Sequence, residues 1–171
     1  MDTFLKRILR AIKLETQLYE EVEADQQALP QALAVVIFAS LAAGIASFSK
    51  GVDASFISDV LGALIGWFAW SYIVFFIGTK ILPEAETKAD YGQLLRTIGF
   101  ASAPGLLAIV GIIPFLFSIA IIVSSIWILI ATVIAVRQAL DYKSTGRAIV
   151  VSVIGWLVYS LIRWFFWIIV S

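Results

Sequence analysis

The sequence predicts an all-α integral membrane bundle of about five transmembrane helices, preceded by an N-terminal amphipathic interfacial helix. Three observations carry that reading. Hydrophobic residues make up 61% of the chain and charged residues 14%, with a mean hydropathy of +1.00, too little polar surface to cover a water-soluble core. Apolar runs near the ~20 residues that one helical crossing needs recur from Gln31 onwards with short polar gaps. The 171 residues leave room for one membrane domain and no separate soluble one.

Residues 1–29 read as an amphipathic cytoplasmic or interfacial helix, and residues 30–171 as the transmembrane domain. At 100° per residue Phe4, Leu5, Ile8, Leu9 and Ile12 share one side of a helix, and Lys6, Arg7, Arg10 and Lys13 lie on the other. That pattern suits a helix lying in the interface with its cations towards anionic headgroups. One continuous helix is expected over residues 2–28, turning acidic after Glu15. The segment is not a signal peptide, because its first 29 residues carry six acidic and four basic side chains and no unbroken apolar core.

The five spans are expected at about 31–49, 56–82, 94–113, 115–136 and 148–170. The first two are joined by a short hairpin connection. The third is the weakest, since Pro104 sits inside it and Gly99, Gly105 and Gly111 lower its helix propensity. A kinked helix, or a re-entrant hairpin with the fourth span, remains open there. The fourth has the most continuous apolar run. Lys and Arg number ten in the N-terminal segment and the second and fourth connections, against Lys50 and Arg163 on the other side. This asymmetry places the N-terminus in the cytoplasm and the C-terminus outside.

The composition also excludes functions. Without cysteine or histidine there is no disulfide, no thiol nucleophile, no thiolate or imidazole metal site and no imidazole acid–base chemistry. No cofactor is expected. Equal numbers of acidic and basic residues give no basic excess for nucleic acid. Intramembrane proteolysis by paired aspartates fails too, as only Asp59 lies near a span. The chain therefore reads as no enzyme.

From Leu94 onwards a pattern emerges: Leu94-Leu95-Arg96, Gly99-Phe100-Ala101-Ser102-Ala103-Pro104, Trp127 in the fourth span, Arg137-Gln138-Ala139-Leu140, and Arg147-Ala148-Ile149. It resembles the Yip-domain family, small five-helix membrane proteins with a cytoplasmic N-terminus. The resemblance covers about residues 30–171. For eukaryotic members it implies Golgi and endoplasmic-reticulum trafficking with Rab-type GTPases. This chain lacks their long N-terminal region and their tyrosine- and glycine-rich signatures, so it is similar to the short prokaryotic members, and a prokaryotic cytoplasmic membrane is expected.

Few residues stand out as sites. Arg163, deep in the last span, needs a partner or an exit; it either snorkels to the outer headgroups from its aromatic neighbours or pairs with Asp59 at the start of the second span. Pro104 either kinks its helix or frees a carbonyl at membrane depth. Gly62 and Gly66 form a Gly-x-x-x-Gly pattern, for packing within the chain or between copies, leaving a homo-oligomer open. Lys6, Arg7, Arg10 and Lys13, with Arg137, Asp141, Tyr142 and Lys143 of the fourth connection, are candidate contacts to headgroups or a partner, Tyr142 being read as exposed. The functional expectation is a non-catalytic membrane-organising or adaptor protein. It would engage membrane lipids or another membrane protein such as a transporter. The alternative is a small transporter, channel or lipid-translocating protein that uses the bundle interior.

Overall fold

The computed structural model describes residues 2–48, 51 and 56–170. Among the described residues there are seven α-helices: α1 (Asp2–Ile12), α2 (Thr16–Ala24), α3 (Leu29–Phe48), α4 (Phe56–Phe76), α5 (Tyr91–Ala101), α6 (Phe117–Ala139) and α7 (Thr145–Val170). A five-residue π-helical turn, Ile77–Ile81, extends α4, and a ten-residue 3-10 helix, Ala103–Ile112, extends α5. Five of these rods are long and apolar enough to cross a membrane: Gln26–Phe48, Phe56–Ile81, Tyr91–Ile112, Phe117–Ala139 and Thr145–Ile162. The protein is an all-helical membrane bundle.

The third rod, the weakest by propensity, is the centre of the bundle. Leu94 through Ala101 are all buried, as are Ala103, Pro104, Gly105, Ala108 and Gly111. Pro104 lacks an N–H and its ring clashes with the preceding turn, so the α-helix ends at Ala101 and the proline opens the 3-10 segment instead of kinking a continuous helix. The 3-10 form rises about 2.0 Å per residue against 1.5 Å for α, so the rod reaches about 36 Å. That is ample for the ~30 Å hydrocarbon core.

The glycines that weaken this rod in isolation are what seat it. A Cβ on Gly99 would lie 2.7 Å from Ala32 Cβ, one on Gly105 3.0 Å from Ala39 Cβ, and one on Gly111 3.1 Å from Ala46 Cβ. Ala32, Ala39 and Ala46 recur every seven residues along one side of α3, and the glycines recur every six along a rod of longer rise, so the two series stay in step. Lipid offers little hydrophobic drive for helix association, and close backbone approach through small residues takes its place. On other sides the rod meets α4 and α6. Trp67 of α4, itself buried, donates its indole N–H to the Leu95 carbonyl at 3.1 Å.

α7 is peripheral, packing on α4 and α6. There Gly66 faces the Tyr159 hydroxyl, and Gly155 faces Trp70. The rings of Trp70 and Tyr159 meet edge-on at 6.3 Å.

Candidate functional site: a polar cap at one end of the bundle

The N-terminal segment is two helices, not one. It breaks after Ile12, where Leu14 takes a left-handed conformation (φ 61°) and the Glu15 N–H bonds back to the Arg10 carbonyl at 3.1 Å. A left-handed residue closing a helix is a common C-terminal stop, usually occupied by glycine. Beyond it α2 folds across α5 and α6. Leu18, Tyr19 and Val22 are buried beneath it, and burial raises the pKa of the Tyr19 hydroxyl.

Charge pairing fixes the two short helices to each other. Arg7 donates to Glu21 Oε1 through Nε (2.9 Å), reaches Asp25 Oδ2 through Nη2 (2.8 Å) and bonds Gln31 Oε1 through Nη1 (3.0 Å). Arg10 reaches Glu21 Oε2 at 2.6 Å and Glu15 Oε2 at 3.0 Å. Arg10 and then Arg7 hold the Glu21 carboxyl below its ordinary range, and Arg7 does the same for Asp25. The expectation that all four α1 cations turn to headgroups is therefore corrected: Arg7 is buried and paired, Arg10 is paired, and Lys6 and Lys13 are the exposed pair. The acidic run after Glu15 supplies their partners, a charge match made across 14 residues in the case of Arg7 and Glu21.

Two donors from the bundle hold the helix pair by its backbone. Trp127, midway along α6, donates its indole N–H to the carbonyl of Ile12, the last residue of α1, at 2.8 Å. Arg96, only 7% exposed, donates Nε to the Val22 carbonyl at 2.9 Å and Nη2 to the Glu23 carbonyl in the last turn of α2. Both meet helix C-termini, where carbonyls lack intrahelical partners and the dipole favours a cation. Side chains add Gln93 to Glu23 (2.9 Å) and Gln138 to Glu20 (2.7 Å). The sequence offers Arg96 as a topology charge and as part of the Leu94-Leu95-Arg96 pattern, not as an anchor. Its signal was its place in the second turn of an apolar rod, and that of Trp127 was a tryptophan at mid-span instead of at an interface.

Beside this strap the second and fourth connections close on each other. Tyr142, read as exposed, is 3% exposed: its hydroxyl donates to the Gly78 carbonyl (3.1 Å) and the Leu82 carbonyl (2.6 Å), groups left over where α4 widens into its π turn. Burial pushes its pKa up to about 12. Arg137 secures the turn that presents it by donating to the carbonyls of Tyr142 and Lys143, both at 3.2 Å. Lys143 pairs with Glu86 (2.8 Å), its N–H meets Glu84 Oε2 (3.0 Å), and Arg147 reaches Glu84 (3.3 Å) and the Pro83 carbonyl (2.8 Å). These residues line an open cleft of about 320 Å³. Asp141 (φ 52°) is exposed.

At the opposite end Asp59 is exposed in the first turn of α4 and makes no ion pair among the described residues. The Arg163 side chain, and with it the Asp59–Arg163 pairing, lies outside the described residues. Gly66 is covered by Tyr159 of α7, whereas nothing among the described residues lies within 4 Å of a Cβ on Gly62.

No curated protein and no solved structure matches this chain. A family model described as the Yip1 domain matches residues 16–166, from α2 through most of α7. The match takes in Arg96, Trp127 and Tyr142, and the chain belongs to the Yip1 domain family.

Proposed function

We propose that this protein is a non-catalytic membrane-organising or adaptor protein whose bundle anchors the chain while the polar cap engages lipid headgroups or a membrane-protein partner. The observation that carries this reading is the outer face of α1. Leu5 and Leu9 are 60% and 57% exposed, with Lys6 and Lys13 exposed beside them. Apolar side chains interleaved with exposed cations suit an anionic membrane surface. The interior offers little for a permeating solute, since its buried hydroxyls Ser71, Thr97, Ser124, Thr132 and Ser152 are spread over α4, α5, α6 and α7. Ten of the twelve Lys and Arg residues belong to the cap or its flanks. That count supports a cytoplasmic cap and an outer C-terminus.

The test is purification in mild detergent from the native membrane, wild type against Leu5→Glu/Leu9→Glu, with copurifying lipid and protein identified by mass spectrometry. The reading expects anionic lipid, a second membrane protein such as a transporter, or both, lost in the variant. It fails if the protein in liposomes moves a defined solute or lipid and loses that activity on Arg163→Ala or Asp59→Ala.

A further inference from the structure

The junction between α2 and the bundle gathers four carboxylates around one cation. Glu23 is half-buried there, accepts a hydrogen bond from Gln93 Nε2 at 2.9 Å, and forms no ion pair among the described residues. Arg96 faces it but spends Nε and Nη2 on the carbonyls of Val22 and Glu23 itself, so the carboxylate gains only its diffuse attraction. Negative charge comes from every element around it: Glu20 on α2, Asp90 at the N-cap of α5, and Asp141 in the α6–α7 turn. A carboxylate held among carboxylates at a packed junction resists ionisation.

We propose that Glu23 makes the α1–α2 strap proton-responsive, so that acidification tightens the strap on the bundle and neutral pH loosens it. Burial first, and Asp141 next, push the docked carboxyl up to about 7 from an ordinary value of 4.5. An acid with the higher pKa in the docked state binds its proton more tightly there. Docking therefore strengthens as pH falls through the window from about 7 to 4.5 and is level outside it. The limiting slope is about tenfold in the docking constant per pH unit, and the partial exposure of Glu23 reduces it. Glu21 and Asp25 act in the opposite sense but lower on the scale, because Arg10 and Arg7 keep them ionised throughout that window. The inference holds whether or not α1 meets lipid.

The experiment uses the full chain in nanodiscs of phosphatidylcholine, whose headgroup does not titrate in this range. Amide hydrogen exchange over residues 16–24 is followed from about pH 8 to about pH 5 and corrected for intrinsic exchange rates. In the wild type, protection rises severalfold, up to about tenfold, per unit of acidification below pH 7. Glu23→Gln keeps an oxygen for Gln93 to bond and shows protection that is level with pH, near the acidic wild-type value. Residues 145–162 stay level in both. A level wild-type profile over residues 16–24, or a Glu23→Gln profile with the wild-type slope, overturns the proposal.

Discussion

Adding one methyl group at Gly99 tests the arrangement that places the third rod at the centre. The new Cβ would lie 2.7 Å from Ala32 Cβ, 3.2 Å from Trp67 Cζ2 and 3.3 Å from the Ala32 carbonyl carbon. Carbon atoms pack at about 3.5–4.0 Å, so the contact with Ala32 is about 1 Å too short. Alanine has no rotamer to change, and Trp67 is tied to Leu95 by its indole N–H. Relief requires α3 and α5 to separate, and overpacking of this kind costs about 1–3 kcal/mol. The gain in helix propensity from glycine to alanine, about 1 kcal/mol, offsets part of that. Gly62→Ala is the control: it collects the same propensity gain with nothing within 4 Å. Reversible unfolding in mixed micelles should therefore find Gly99→Ala less stable than wild type and Gly62→Ala as stable or more so. If Gly99→Ala equals or exceeds Gly62→Ala, the glycine–alanine seam is not what holds the rod.

Arg96→Met removes the donor to two carbonyls in the last turn of α2 while keeping an unbranched stem. Hydrogen bonds to charged groups contribute about 1.5–3 kcal/mol, so protease cleavage between α2 and α3 should accelerate by one to two orders of magnitude, about the factor that energy implies. Trp127→Phe keeps an aromatic ring and loses one bond to Ile12, about 1 kcal/mol, and should speed hydrogen exchange in α1 without changing exchange in α6. Tyr142→Phe leaves the Gly78 and Leu82 carbonyls without their shared donor and should lower the unfolding midpoint. Glu86→Gln, which loses only an exposed pair with Lys143, should leave it unmoved. In strong acid the α1–α2 pair should separate: Glu21 and Asp25 have depressed pKa values in the folded chain, so their contribution is present above the ordinary carboxylate range and is lost as pH falls through the depressed values. Circular dichroism together with proteolysis at the α1–α2 turn would follow that separation.

Fold class and the presence of five apolar rods are legible in the sequence because hydropathy over some twenty residues reports the solvent directly. Packing between rods is not. Gly99, Gly105 and Gly111 look like weaknesses on a propensity scale, which describes a helix standing alone; their function appears only when Ala32, Ala39 and Ala46 arrive from a different helix. Arg7 and Arg10 look free on a helical wheel for the same reason. Their acids lie beyond a turn whose left-handed residue is a leucine, which carries no sequence signal for the break. Tyr142 sits in a polar stretch that reads as solvated, and the carbonyls it satisfies are 60 and 64 residues away.

The two anchors of the strap have a common logic. Trp127 and Arg96 belong to the bundle, and what they grip on α1 and α2 is backbone. A backbone carbonyl is present whatever side chain its residue carries, so docking sets few demands on the outward residues of the strap. Leu5, Lys6, Leu9 and Lys13 can then be shaped by whatever they meet outside the molecule, while Ile8 and Ala11 stay buried against the bundle. This separation makes the two functional proposals independent. Substituting Leu5 and Leu9 should abolish engagement and leave the acid response of α2 intact, whereas Glu23→Gln should flatten that response and leave the outer face of α1 unchanged.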